Sequence, residues 1–171
     1  MAERVTDQVI KRIWKTDQQR TFEGCQTEKT TFNGGDFADY AAVLQYIDHL
    51  THTDFGLEID ERVARYLVHN YGLQTEEILQ KAGEIRGEYA DRASALAVAE
   101  LRFCLEHEMV SDLCDFLIRR SGRLYFDRPS LAGVLPAVTA TCASHLAWSD
   151  TETERQLAAF DLLYRAVLDF K

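Results

Sequence analysis

Apolar residues recur along most of this chain at intervals of three and four, and hardly anywhere at intervals of two, so the pattern predicts an all-α protein. Val5, Val9 and Ile13, with Ile10 and Trp14 beside them, mark an amphipathic helix over residues 1–16. Neither Met1 nor Ala2 offers a side-chain oxygen to cap its first amides. From Asp17 to Asp36 the periodicity gives way to a polar linker loop, with a turn at Asn33-Gly34-Gly35. Residues 37–171 then read as a compact multi-helix domain. Tyr40, Val43, Leu44, Ile47 and Leu50 make its first helix, and Ile59, Val63, Tyr66 and Leu67 make the next, closed by Gly72. Thr75 is the expected cap of a short helix through Ile78, Leu79 and Ala82 that ends near Gly83, followed by a loop over Glu84 to Ala90. Pro129 sits where helix starts favour it, ahead of Leu131, Val134, Val138 and Cys142. Thr151, with Glu154 three residues on, has the spacing of a capping box for a last helix that buries Leu157, Phe160, Leu163, Tyr164, Val167 and Leu168.

The middle of the chain, Ala99 to Asp127, organises the rest. A long helix starting near Asp91, with a break expected around Glu106, carries apolar residues over most of its circumference. Such a helix belongs at the centre of a helical domain, with neighbours on more than one side. At about 100° per residue, Glu108, Asp112, Asp115 and Arg119 fall into one column beside a stripe of Leu101, Leu105, Met109, Leu113, Phe116 and Leu117. Arg119 follows Asp115 by four residues, the favourable acid-first order. Glu100, Glu108, Asp115, Arg119 and Arg120 therefore read as a structural ion network. No residue among them resembles an activated nucleophile or a base with its orienting partner, so no catalytic residue is assigned. Ser121-Gly122 ends the stretch, and Leu124, Tyr125 and Phe126 form a short extended apolar piece.

Composition narrows the function classes. With 28 Asp and Glu against 19 Lys and Arg, the formal net charge of -9 repels phosphate backbones and anionic lipid. The helix-turn-helix outline of Val63 to Ala82 opens its second helix with Glu76 and Glu77, where phosphate contact needs Lys or Arg, so it reads as a structural corner. No apolar run reaches the ~20 residues of a spanning helix, and no signal-peptide pattern opens the chain, which predicts a cytoplasmic protein. Cys25, Cys104, Cys114 and Cys142 lack zinc-ligand spacing and read as reduced thiols. The histidines are dispersed, and Glu106-His107-Glu108 has the wrong spacing for a di-iron helix, so no metal site is assigned either.

Several segments, in order, carry a family resemblance. Glu100, Glu108, Asp115, Phe116, Arg119, Arg120 and Asp127, the Tyr71-Gly72 and Glu77-Ile78 segment, and Trp148-Ser149 resemble the C-terminal domain of FAD-dependent glycerol-3-phosphate dehydrogenases and the related glycerophosphate oxidases. Upstream, Met1-Ala2-Glu3 with Val5, Cys25 with Thr27, and Gly34-Gly35-Asp36-Phe37 resemble the family's passage from its flavin domain into its helical domain. Ser121 stands where the family often has Thr, which keeps a hydroxyl. The family's dinucleotide-binding Gly motif, substrate-binding arginines and histidines, and flavin-facing Gly-Lys-Leu-Thr-Thr segment have no counterpart here. The resemblance thus implies a fragment in which residues 1–16 are the last helix of the FAD domain and residues 37–171 the helical C-terminal domain. The parent enzyme would oxidise sn-glycerol 3-phosphate to dihydroxyacetone phosphate on FAD. This part would bind no cofactor and do no chemistry, but would cap the FAD-binding catalytic domain, with a homodimer as a possible further contact and without direct membrane contact, although the parent could lie peripherally at the inner face of the membrane. The alternative is a stand-alone helical protein-interaction module.

Overall fold

The computed structural model describes residues 2–16 and 22–169, and divides into two compact units, Met1–Phe32 and Asn33–Lys171. In the first unit the amphipathic pattern does form a helix, α1 (Ala2–Thr16), followed by a short 3-10 turn at Thr27–Lys29. None of the α1 residues is buried; Val5, Val9 and Trp14 are exposed, and Ile10 and Trp14 join Phe22 around a shallow apolar hollow. The first part of the expected linker, Asp17 to Thr21, lies outside the described residues.

The second unit holds α2 (Tyr40–His52), α3 (Glu61–Tyr71), α4 (Thr75–Glu84), α5 (Arg92–His107), α6 (Arg123–Phe126), α7 (Arg128–His145) and α8 (Asp150–Leu168). The described residues contain no strand, so the all-α expectation holds. Helix starts follow local chemistry. The carboxylates of Asp39, Asp60 and Asp91 accept from the amides of Ala42, Val63 and Ser94, and Ser149 Oγ accepts from Glu152. Each such cap stabilises its helix by about 1 kcal/mol. Pro129 opens α7 as expected.

Two cap assignments are corrected. Thr75 is the first residue of α4 and is fully buried, with no side-chain cap at Gln74 before it. Thr151 lies inside α8, which is capped two residues earlier by Ser149 after left-handed Ala147 ends the previous connection. Gly72 does close α3, with φ +56, and its hydrogen allows a close approach: a Cβ there would lie 2.0 Å from the Gly34 carbonyl oxygen. The Asn33-Gly34 turn is thereby fastened to the end of α3, with Leu73 N–H donating to Gly34 at 2.9 Å.

Helix α5 is the centre of the unit. Every residue from Ser94 to Leu101 is buried, because α4 and α7 cover it on different sides. Its end corrects the predicted column. The helix stops at His107; Glu108 leaves helical geometry, and Met109 takes φ +57 with 87% of its surface exposed instead of joining the apolar stripe. The chain then re-enters a π-helical turn, Asp115–Arg120, that buries Phe116 and Leu117 and ends where Ser121 N–H reaches Phe116 O at 2.9 Å. One extra residue in a turn rotates the following side chains. Gly122, at φ +63, leads into α6, so Leu124 to Phe126 are helical rather than extended. In α8, of the six apolar positions expected to be buried, only Phe160 is; Tyr164 and Val167 are half-buried, and Leu157, Leu163 and Leu168 remain exposed.

Candidate functional site

The strongest concentration of buried polar chemistry surrounds Glu100. Its position midway along the most enclosed part of α5 leaves the side chain with no exposed surface. An isolated carboxylate there would carry a desolvation cost of several kcal/mol, so partners must converge on it. Arg123 of α6 donates from Nη2 to Oε2 at 2.7 Å, and Tyr71 donates to Oε1 at 2.8 Å. The Tyr66 hydroxyl lies within reach of both Glu100 Oε1 and the Ser121 carbonyl. The Arg123 guanidinium also lies 5.7 Å from the centre of the Tyr66 ring. One carboxylate thus joins α3, α5 and α6.

Electrostatics keep the two phenols protonated and the guanidinium charged. Burial, then the Glu100 charge, pushes both phenols far above the ordinary tyrosine value. Burial alone would lower the Arg123 value, but the carboxylate outweighs it and the guanidinium is held more firmly charged. Cys104 lies 3.4 Å from Tyr71 Oη, and burial raises its thiol; burial likewise pushes Cys142 up to about 12. Neither thiol is a ready nucleophile. The cluster's donors and acceptors are directed at one another, an arrangement suited to joining helices.

The five residues singled out from the sequence are distributed differently. Asp115 and Arg119 pair at 3.4 Å, and Asp115 also accepts from the Ser111 amide. Glu100 belongs to the separate Arg123 cluster. Glu108 stands at the end of α5, out of line with Asp115, while Arg120 is exposed and has no ion pair among the described residues. Arg123, Tyr66 and Tyr71 were not anticipated as partners of Glu100. The available signal was an arginine directly ahead of the apolar run Leu124, Tyr125 and Phe126, which asks for a buried counter-charge.

A second cluster joins α4 to the end of α5. Ligand atoms of Glu77, Glu106 and His107 lie within 4.8 Å of one another, close enough to suggest a cation. Lys81 Nζ already stands 3.1 Å from Glu77 and 2.7 Å from Glu106. Its hydrogen bond holds the Glu106 carboxyl below its usual range. The ammonium supplies the positive charge these exposed groups require.

A cavity of about 320 Å³ adjoins the Glu100 cluster, between α3, α5, α6 and the start of α7. Among the described residues no helix is long and apolar enough to cross a membrane.

Comparison with known proteins gives this arrangement its context. Residues 25–153 match the family described as the C-terminal domain of alpha-glycerophosphate oxidase. Aerobic glycerol-3-phosphate dehydrogenases of Staphylococcus aureus (strain USA300) and Staphylococcus epidermidis (strain ATCC 12228 / FDA PCI 1200) are each 32% identical over 155 residues, covering 90% of this chain and 27% of theirs. The glycerol-3-phosphate dehydrogenase from Bacillus halodurans, solved in complex with FAD, has a similar fold, with a TM-score of 0.75 and 22% identity over 93% of this chain and 32% of that one. The chain therefore spans about a quarter of the length of the curated relatives it matches. With three quarters of its residues inside the family match, the chain belongs to the family of the C-terminal domain of alpha-glycerophosphate oxidase.

Proposed function

We propose that this chain serves as the C-terminal helical domain of an FAD-dependent glycerol-3-phosphate dehydrogenase that oxidises sn-glycerol 3-phosphate to dihydroxyacetone phosphate. The observation that carries the reading is the match of nearly the whole chain to about a quarter of dehydrogenases of that name. The hydride transfer belongs to the flavin and to the part of the enzyme that holds it, where protein groups position and polarise the cofactor. This chain's own work is mechanical: the Glu100–Arg123 cluster fixes three helices as one body, and that body caps the catalytic part without binding FAD. The exposed Val5, Val9 and Trp14 of α1 support the reading, since an apolar helical face of this kind suits burial against a flavin domain. The ion pairs of Asp115 with Arg119 and of Glu100 with Arg123 are structural in this proposal. Its partners are the FAD-binding part of the same enzyme and a second copy of it, in the cytoplasm, with no nucleic acid and no membrane contact through this acidic surface.

The test is to sequence the coding DNA in frame upstream of the Met1 codon and to assay the purified chain. The expected outcome is an open frame running back through a G-x-G-x-x-G motif, and no glycerol 3-phosphate-dependent dye reduction by residues 1–171 with added FAD. An in-frame stop codon ahead of a ribosome-binding site would overturn the parent-enzyme reading in favour of a stand-alone interaction module. Turnover by the isolated chain would overturn the division of labour.

A further inference from the structure

Helix α8 has two faces, and packing within the unit accounts for one of them. Gln156 and Phe160 are buried, and Tyr164 and Val167 are half-buried, so these positions hold the helix against α7 and the core. The Gln156 side chain also accepts from the Leu113 amide at 3.3 Å. At about 100° per residue, the opposite side carries Arg155, Ala158, Leu162, Ala166 and Asp169, all of them exposed. Leu162, in the middle, has 71% of its surface open to water.

The spacing of these five residues is the same from either end, in steps of three, four, four and three centred on Leu162. Their chemistry has the same symmetry, with opposite charges at the two ends. A second α8 turned end for end about Leu162 would therefore set Leu162 on Leu162, each Ala158 on an Ala166, and each Arg155 beside an Asp169. At 1.5 Å per residue the two ion pairs would lie about 10 Å to either side of the centre. The alanines allow the helix axes to approach to about 8 Å.

The flanks of the stripe fit the same arrangement. On one side Asp161 and Arg165, paired at 2.8 Å within their own helix, would come level with Arg165 and Asp161 of the other copy. On the other side exposed Ala159 would meet Leu163, which is 42% exposed. Glu152 orients Arg155, with 2.8 Å between Nε and the carboxylate, yet the arginine side chain stays 67% exposed. Asp169 forms no ion pair among the described residues. A parallel pair would instead put Arg155 on Arg155 and Asp169 on Asp169, which like-charge repulsion opposes.

We propose that α8 is a self-association surface, through which two copies of this chain pair antiparallel about a two-fold axis at Leu162. A two-fold contact requires a patch complementary to itself, and the exposed face of α8 is one. This inference rests on the second copy named in the proposed function and gives that contact its surface. A single helix face falls short of the roughly 800 Å² that a standard interface takes from each partner, so the dimer is weak and concentration-dependent.

Sedimentation velocity of the full chain, over dilutions from about 1 mM to about 1 μM, tests the contact, and a monomer–dimer equilibrium within that range is expected. L162E sets two carboxylates against each other on the axis and should weaken the dimer at least about tenfold. Helicity should not change, since Leu162 makes little contact inside its own chain. R155D and D169R should each weaken the dimer, and R155D/D169R together should restore it, a recovery that only the antiparallel register predicts. V9E, on the exposed apolar face of α1, should leave it unchanged. A chain that stays monomeric overturns the proposal, as does a dimer that L162E leaves intact or that V9E dissolves. So do charge reversals that weaken nothing, or that the double variant does not repair. None of these measurements involves the flavin or the upstream coding DNA, so failure here leaves the dehydrogenase reading to its own test.

Discussion

Two acid–arginine pairs in the second unit have the same chemistry and opposite settings. Glu100 and Arg123 are 23 positions apart, meet at 2.7 Å and are buried. Asp115 and Arg119 are one helical step apart, meet at 3.4 Å, and leave the arginine side chain 66% exposed. The local pair needs only a helical turn to form, and water screens it, so it contributes a few tenths of a kcal/mol. The distant pair forms only when three helices have already packed, and once formed each charge depends on the other. A pair visible in sequence spacing is therefore the weaker one, and the pair that holds the domain together leaves almost no local trace.

The largest expected effect comes from separating the buried pair. Arg123→Met should destabilise the chain by about 3–5 kcal/mol in urea unfolding, because it leaves the Glu100 carboxylate buried without its counter-charge. Adding Glu100→Met in the same chain should recover much of that loss, and a double variant no more stable than the single would break the comparison.

An alkaline titration gives a smaller, graded effect. Tyr66 and Tyr71 have folded values above their unfolded value of 10.0, so their contribution is fully present below pH 10 and declines as pH rises above it towards the folded values. Each phenol should add about 1.4 kcal/mol of lost stability per pH unit in that range. Tyr71→Phe should flatten the slope by one proton, and an unchanged slope would mean that the phenol already ionises in the folded chain.

The smallest effect is expected at the exposed pair. Arg119→Ala should shift unfolding by less than about 0.5 kcal/mol, reduced further in salt. A loss comparable to that of Arg123→Met would show that surface and core pairs are not separable here.

Much of the helical framework was legible because its signals are local. Asp91 stands before an apolar-periodic segment and caps it, and Pro129 and Gly72 mark a start and a stop through their own backbone chemistry. Misreadings arose where one local rule met another. Thr151 has capping-box spacing, yet Ser149, placed by the left-handed turn at Ala147 and by the half-buried Trp148, takes the cap. The column from Glu108 to Arg119 assumed an unbroken 3.6-residue period; left-handed Met109 and the π-helical turn change the phase twice. Leu162, 71% exposed, and its neighbours in α8 show that an apolar face in sequence does not name its cover.

By itself the sequence determined the class, the order of the longer helices, several of their ends and the family resemblance, because helical period and caps are settled by residues three and four positions apart. Only the tertiary structure decided that Glu100 belongs with Arg123, Tyr66 and Tyr71, and that Arg62 and Arg92 share a hollow with Arg123. Those associations join residues up to 61 positions apart, from Arg62 to Arg123. They are selected by the desolvation of a charge inside a packed core, a force that exists only after the core has formed.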